Sequence, residues 1–234
     1  MKIDRSQSEQ WRKLKVNIAL FSDLSREELV ELNTTIKPID YGRRELIFQQ
    51  GAPSFGLYII LEGKVKLMRE LQAEKSRILK ILGPGEVLGL DILFDSATYA
   101  TCAKTLEPSR LGFIERQEFL RFIVQHSCIF PRIVAQLADD LRDAWNELAE
   151  AAAYLSVREK LARVLLDLAE RFGVEGRSGV VIGVRLKRIE LAEMIGVAPE
   201  TLVRALGQLK ERGLITLEGR QIIISDRNGL AGKM

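Results

Sequence analysis

The chain has 234 residues but only two cysteines, one histidine and 6% aromatic residues. Cys102 and Cys128 stand far apart and outside any C-x-x-C spacing, so neither a disulfide framework nor a zinc cluster is expected, and two buried thiols are the plainer reading. His126 is solitary, and G-x-S-x-G, H-E-x-x-H and a Walker lysine loop are all missing. The common hydrolase and nucleotide-hydrolase chemistries therefore have no carrier, and no metal site is expected. No apolar run reaches the length of a bilayer span, and no basic segment leads into a shorter one. A membrane partner and a secretory leader are not expected, which makes the cytoplasm the expected compartment.

What is present can build cores. Hydrophobic residues make up 47% and charged residues 29% of the chain, a balance that suits a folded protein of two domains. The net charge of +3 is unevenly spread. Residues 1–155 carry 21 Lys and Arg against 22 Asp and Glu, net −1, whereas residues 156–234 carry 14 against 10, net +4. A basic C-terminal third suits a polyanionic partner or an ordinary solvated surface.

The hydrophobic texture changes three times. In "LSREELVEL", Ser25 and Glu28 have capping-box spacing ahead of Leu29 and Leu32, which predicts a short helix. From Tyr41 to Glu115, the brief runs "ELIFQ", "GLYIIL", "KVKLMRE", "SRILKIL" and "SRLGFI" alternate with glycine turns, predicting a small antiparallel barrel or roll. After Pro131 the period becomes helical. Leu137, Leu141, Ala144, Leu148, Ala151 and Leu155 follow 4-3-4-3-4 spacing, the seam of a coiled coil. Such a helix pairs with a second copy or packs on its own roll. The small alanines favour the homodimer.

Ser156 and Glu159 form a second capping-box pattern, which marks a hinge at Leu155/Ser156. The expected division is a β-roll with flanking helices over 1–130, a dimerisation helix over 131–155 and a further domain over 156–234. Past the hinge come a loop "GVEGRSG", a β-like "VVIGVRL", two helices, and a hairpin around Glu218-Gly219 in "LITLEGRQIIIS". In "RIELAEMIGVAPETLVRALGQLKERGLI", Ile189, Leu191, Ala192 and Ile195 form one apolar stripe, and Gly196 supplies a turn. Pro199 opens a second helix, where its missing N–H costs nothing. Leu202, Ala205, Leu206 and Leu209 form that helix's buried stripe, leaving Glu200, Thr201, Val203, Arg204 and Lys210 outward or at the edges. Such a helix suits a DNA major groove, since Arg bonds guanine O6 and N7 and Glu accepts from cytosine N4.

With "IFQQGAPSFGLYIILEGKVKL", "LGPGEVLGLDILF", "GVAPETLVRALGQLKERGLI" and "LEGRQIIISD" in this order, the span from Leu20 to Asp226 resembles the CRP/FNR superfamily of bacterial transcription regulators. The resemblance implies an α+β protein: an N-terminal antiparallel β-roll (a double-stranded β-helix, jelly-roll-like), a long dimerisation helix and a C-terminal winged helix-turn-helix. It implies double-stranded DNA as a partner, RNA polymerase as another, and a role as activator or repressor. Glu200 and Arg204 match the family's base-reading pair, while Thr201 and Arg188 match phosphate-holding positions. Pro199 and Val203 depart from the pattern, so the operator is expected to differ.

The effector positions depart further. Cyclic-nucleotide binders of the family hold ribose with a glutamate and phosphate with an Arg-Ser pair, where this chain has Gly89-Leu90-Asp91 and Tyr99-Ala100-Thr101. At the adenine-contacting positions of the long helix stand Trp145 and Asn146. Cyclic AMP is therefore not expected as the effector. The cysteine cluster of the family's iron–sulfur sensors is absent before Cys102. A haem would need His126, Cys102, Cys128 or Tyr99, and His126 reads more simply as a surface-loop residue. Leu90, Ile92, Tyr99, Trp145 and Leu148 either line an apolar pocket or are packed core.

Overall fold

The computed structural model describes residues 18–71, 75–93, 98–152 and 155–232, the side chains of 147 and 150–152 excepted. It has two compact units, the first running to Trp145 and the second from Asn146, Ser76–Ile78 apart. Among the described residues no helix is long and apolar enough to cross a membrane.

In the first unit, helix α1 (Arg26–Thr35) starts at Ser25, whose hydroxyl accepts from the Glu28 N–H at 3.2 Å while the Glu28 carboxylate accepts from the Ser25 N–H at 2.7 Å. This is the capping box read in the sequence. Eight strands follow: β1 (Lys37–Tyr41), β2 (Leu46–Phe48), β3 (Gly56–Glu62), β4 (Val65–Glu70), β5 (Ser76–Leu82), β6 (Val87–Leu88), β7 (Cys102–Thr105) and β8 (Ser109–Glu115). They form two four-stranded sheets, ordered β1-β8-β3-β6 and β2-β7-β4-β5. Strand β3 is buried on both faces. Leu57 and Ile59 join one core cluster with Leu90, Ile114 and Phe119, while Ile60, with Tyr58 packed alongside, joins another with Phe48, Leu88 and Tyr99. The period-2 alternation of "LYII" thus feeds both cores from one strand.

Strand β1 was not legible as a strand. It is exposed along most of its length and carries Pro38, which an edge strand tolerates because its free side needs no donor. Helix α2 (Arg116–Gln125) follows β8 and buries Phe119, Phe122 and Ile123. Helix α3 (Phe130–Ala152) starts at Phe130 rather than after Pro131, because proline is accommodated in a first turn whose N–H groups need no helical partner.

In the second unit, helix α4 (Val157–Phe172) begins with the Ser156–Glu159 capping box. Strands β9 (Gly173–Gly176), β10 (Gly179–Ile182), β11 (Ile215–Glu218) and β12 (Gln221–Ile224) form one antiparallel sheet ordered β11-β12-β10-β9. "GVEG" is therefore an edge strand and not part of a loop, its pairing with β10 carried by backbone that its exposed side chains do not reveal. Helices α5 (Arg188–Ile195), α6 (Pro199–Glu211) and α7 (Arg227–Ala231) complete the unit. Helix α4 packs on all three, and Leu161, Leu165, Leu168, Leu202, Leu206 and Leu230 are each at most 2% exposed.

Candidate nucleic-acid interface

Helix α5 opens with the Lys187 N–H donating to the Glu190 carboxylate at 2.8 Å. That bond draws Glu190 inward to 6% exposure, while Ile189, expected in the buried stripe, is 47% exposed. Leu191, Ala192 and Ile195 are buried as the period predicts. Gly196 ends the helix at φ 69° and its N–H donates to the Ala192 carbonyl; a left-handed turn of this kind favours glycine. Val197 is half-buried, and Pro199 occupies the first turn of α6.

In α6, Leu202, Ala205, Leu206 and Leu209 are buried, and Glu200, Val203, Arg204 and Lys210 are exposed. Pro199 and Thr201 are half-buried at the margin. Glu200 lies in the first turn, where its charge opposes the positive end of the helix dipole. Arg188 is half-buried, and its Nη2 donates to the Gly219 carbonyl at 3.3 Å. It thereby ties α5 to the turn between β11 and β12, and loss of hydration lowers its pKa from the ordinary arginine value. That turn has Gly219 at φ 61° and an exposed Arg220 beside it. The sequence reading passed over Arg220, although a cation next to a hairpin glycine is the local signal for one held at a turn tip.

The effector positions are dispersed by the structure. Leu90 is buried in one core of the roll and Tyr99 in the other. The Tyr99 ring stacks on Phe48 at 4.0 Å and 13°, and its hydroxyl donates to the Gly56 carbonyl at 2.8 Å. Burial pushes both Tyr99 and Tyr58 up to about 12, so both phenols stay neutral near pH 7. Gly89 precedes the turn Leu90–Leu93, Asp91 and Ala100 are exposed, and Thr101 is half-buried. Trp145 is 61% exposed and Asn146 is exposed as well. Leu90, Ile92 and Tyr99 are packed core, whereas Trp145 and Leu148 are exposed on α3.

His126 is not a bare loop residue. Its Nδ1 lies 3.0 Å from Glu28 Oε1 and its Nε2 3.1 Å from Glu31 Oε2. Both ring nitrogens are thus engaged by glutamate carboxylates. Of the two thiols expected to be buried, Cys102 is, but Cys128 is exposed, because Ile129 takes the inward position of the turn Ser127–Ile129.

The seam on α3 is split. Ile133 is fully buried, and Leu137 is half-buried and packs on the roll's core. Leu141 and Leu148 are 50% and 68% exposed, and Ala144 is exposed. Leu155 falls beyond the end of the helix, and the Ala151 side chain lies outside the described residues. Phe130 and Val134, both exposed, continue the 4-3 spacing upstream of Leu137, and Trp145, off the repeat, widens the exposed apolar stripe. Lys80 donates to Asp140 at 2.7 Å and Asp143 at 2.6 Å, securing another face of α3 to β5.

Residues 38–126 match the model of a cyclic nucleotide-binding domain, and residues 159–232 match that of a Crp-like helix-turn-helix domain. The chain is 31% identical over 212 residues to the CRP-like cAMP-activated global transcriptional regulator of Mycobacterium tuberculosis, covering 91% of this chain and 94% of that protein. It belongs to the CRP/FNR family of transcription regulators. Like its family it regulates transcription through a helix-turn-helix that binds DNA, and its relatives are not enzymes.

Solved structures place this CRP/FNR protein among familiar folds. FixK2 of Bradyrhizobium japonicum superposes with a TM-score of 0.75 at 22% identity, over 84% of this chain and 96% of FixK2, which establishes the fold. The c-di-GMP-responsive regulator CLP of Xanthomonas campestris superposes with a TM-score of 0.73 at 25% identity, over 86% of this chain and 99% of CLP. Two of these similar proteins thus carry different effectors in their names, so the likeness does not fix an effector.

Proposed function

We propose that this regulator acts in the cytoplasm as a homodimer on a two-fold symmetric operator, with helix α6 of each protomer in the major groove. The carrying observation is the two-sided α6: Leu202, Ala205, Leu206 and Leu209 buried against Glu200, Val203, Arg204 and Lys210 exposed. Arg204 reads a guanine and Glu200 accepts from the cytosine of a complementary pair, within a half-site of TGA-like core. Thr201 and Lys210 contact phosphates, and Val203 offers methyls to a thymine. Arg188, whose Nη2 is bonded to the Gly219 carbonyl, contacts a phosphate beside the hairpin turn. Dimer symmetry sets the half-site centres one helical turn apart, about 10 bp. The exposed apolar side chains of α3 support the dimer, and RNA polymerase is the protein partner that the family role calls for. Selection from a random DNA library tests the reading. A palindromic consensus is expected, and a library recovered without sequence preference overturns it.

The same reading holds that cyclic AMP is not the effector. Leu90 offers no carboxylate to a ribose, and neutral Tyr99 offers a phosphate no charge; a phosphate buried without a charged partner loses its compensation for desolvation. The stacking of Tyr99 on Phe48 favours a regulator whose roll is filled by its own side chains and binds DNA without a ligand. Calorimetry that finds a micromolar cyclic AMP site overturns the first statement. A visible absorption band in the purified protein overturns the second.

A further inference from the structure

A glycine inside a helix is costly unless something requires it. Gly207 lies well inside α6, five residues after Leu202 and two before Leu209. It is absent from the residues with positive φ, and a Cβ added there meets nothing within 4 Å. Neither backbone conformation nor packing within the chain therefore asks for glycine. By helical spacing Gly207 shares a face with Glu200, Val203, Arg204 and Glu211, opposite the buried stripe. It is three residues beyond Arg204, about 4.5 Å further along the axis.

We infer that Gly207 is a positioning residue for DNA reading: a gap in the groove-facing side of α6 that lets the helix seat deeply enough for Arg204 to reach the base edge. The inference rests on α6 being the reading helix. A helix with its side chains is about 10–12 Å across, and the major groove about 12 Å wide, so the fit leaves little slack. One carbon on the face turned to the groove floor or wall then sets the closest approach. Arg204 and Gly207 are neighbours on that face, at i and i+3. Lifting the helix at 207 shortens what the arginine can span, whereas the free protein gains a better helix former.

The test compares Gly207→Ala and Gly207→Leu with wild type on the selected operator. Both variants should unfold at the same or a higher temperature. Operator affinity should fall about 10-fold for alanine and further for leucine, with relaxed preference at the base pair assigned to Arg204, since affinity and specificity share one lost contact. In an Arg204→Ala background the Gly207→Ala penalty should shrink, because coupled residues are not additive. A wild type without sequence preference sinks the reading helix itself, and Gly207 with it. A wild type with a clear consensus and a Gly207→Ala variant that binds as tightly leaves the reading helix standing and overturns the Gly207 inference alone. A lower unfolding temperature, or an undiminished penalty in the Arg204→Ala background, also overturns it.

Discussion

The roll and the helix-turn-helix treat their candidate site residues in opposite ways. In the roll, two key residues at effector positions are folded inward: Leu90 at 4% and Tyr99 at 3% exposure. In the helix-turn-helix, Glu200, Val203 and Arg204 are exposed, and the leucines behind them are the ones buried. At Leu90 and Tyr99 the roll has made core, while Glu200, Val203 and Arg204 stay on the surface of α6. Substitutions should therefore be read through stability in the first domain and through binding in the second.

The sharpest break comes at α3. Leu141→Lys combined with Leu148→Lys places like charges on the exposed stripe, so light scattering should give half the wild-type mass. Operator affinity should then fall at least about 100-fold, because two linked half-site contacts become independent. An unchanged mass would remove the stripe from the dimer. Next, Tyr99→Ala should lower unfolding free energy by about 3 kcal/mol in denaturant titration, as for other buried aromatics. Arg204→Ala should leave that stability nearly unchanged and weaken operator binding by about 1–3 kcal/mol, with relaxed preference at one base pair. If the two effects trade places, the contrast between the domains is wrong. Arg188→Ala should weaken all sequences alike and reduce the salt slope by about one unit; a base-specific loss would make Arg188 a reader.

The smallest expected effect is shared by both domains. Glu28 and Glu159 are held below the usual carboxylate range, Glu28 mainly by the Ser25 N–H and Glu159 mainly by its bond with Ser156. A depressed folded pKa adds stability above the unfolded value, about 4.3, and that contribution is lost as pH falls through the folded value. Denaturation followed from pH 7 to pH 3 should show this acid limb, and Glu28→Gln or Glu159→Gln should flatten it. An acid limb unchanged in both variants would assign it to other carboxylates.

Features set by neighbours along the chain were legible: two capping boxes, the switch from β to helical period, and Gly196 between two helices. Features set by distant partners were not. His126 meets Glu28 across 98 residues and Arg188 meets Gly219 across 31, and no local pattern encodes either. Ile189 misled because its spacing suits a buried stripe, while the cap drew Glu190 inward. Leu137 and Leu141 belong to one repeat, yet only the first reaches the roll's core. At the candidate interface the buried and exposed faces of α6 followed its period, but Arg220 lay hidden in a turn read only for its glycine.

Trp145 makes α3 its own reporter. The chain has two tryptophans, and the other, Trp11, lies outside the described residues. With Trp11→Phe, Trp145 becomes the sole indole emitter, sited on the proposed contact surface and 61% exposed in the single chain. Its fluorescence should shift to shorter wavelength as concentration rises and water leaves the ring. The midpoint of that shift reads out the dissociation constant of the dimer with no label and no DNA.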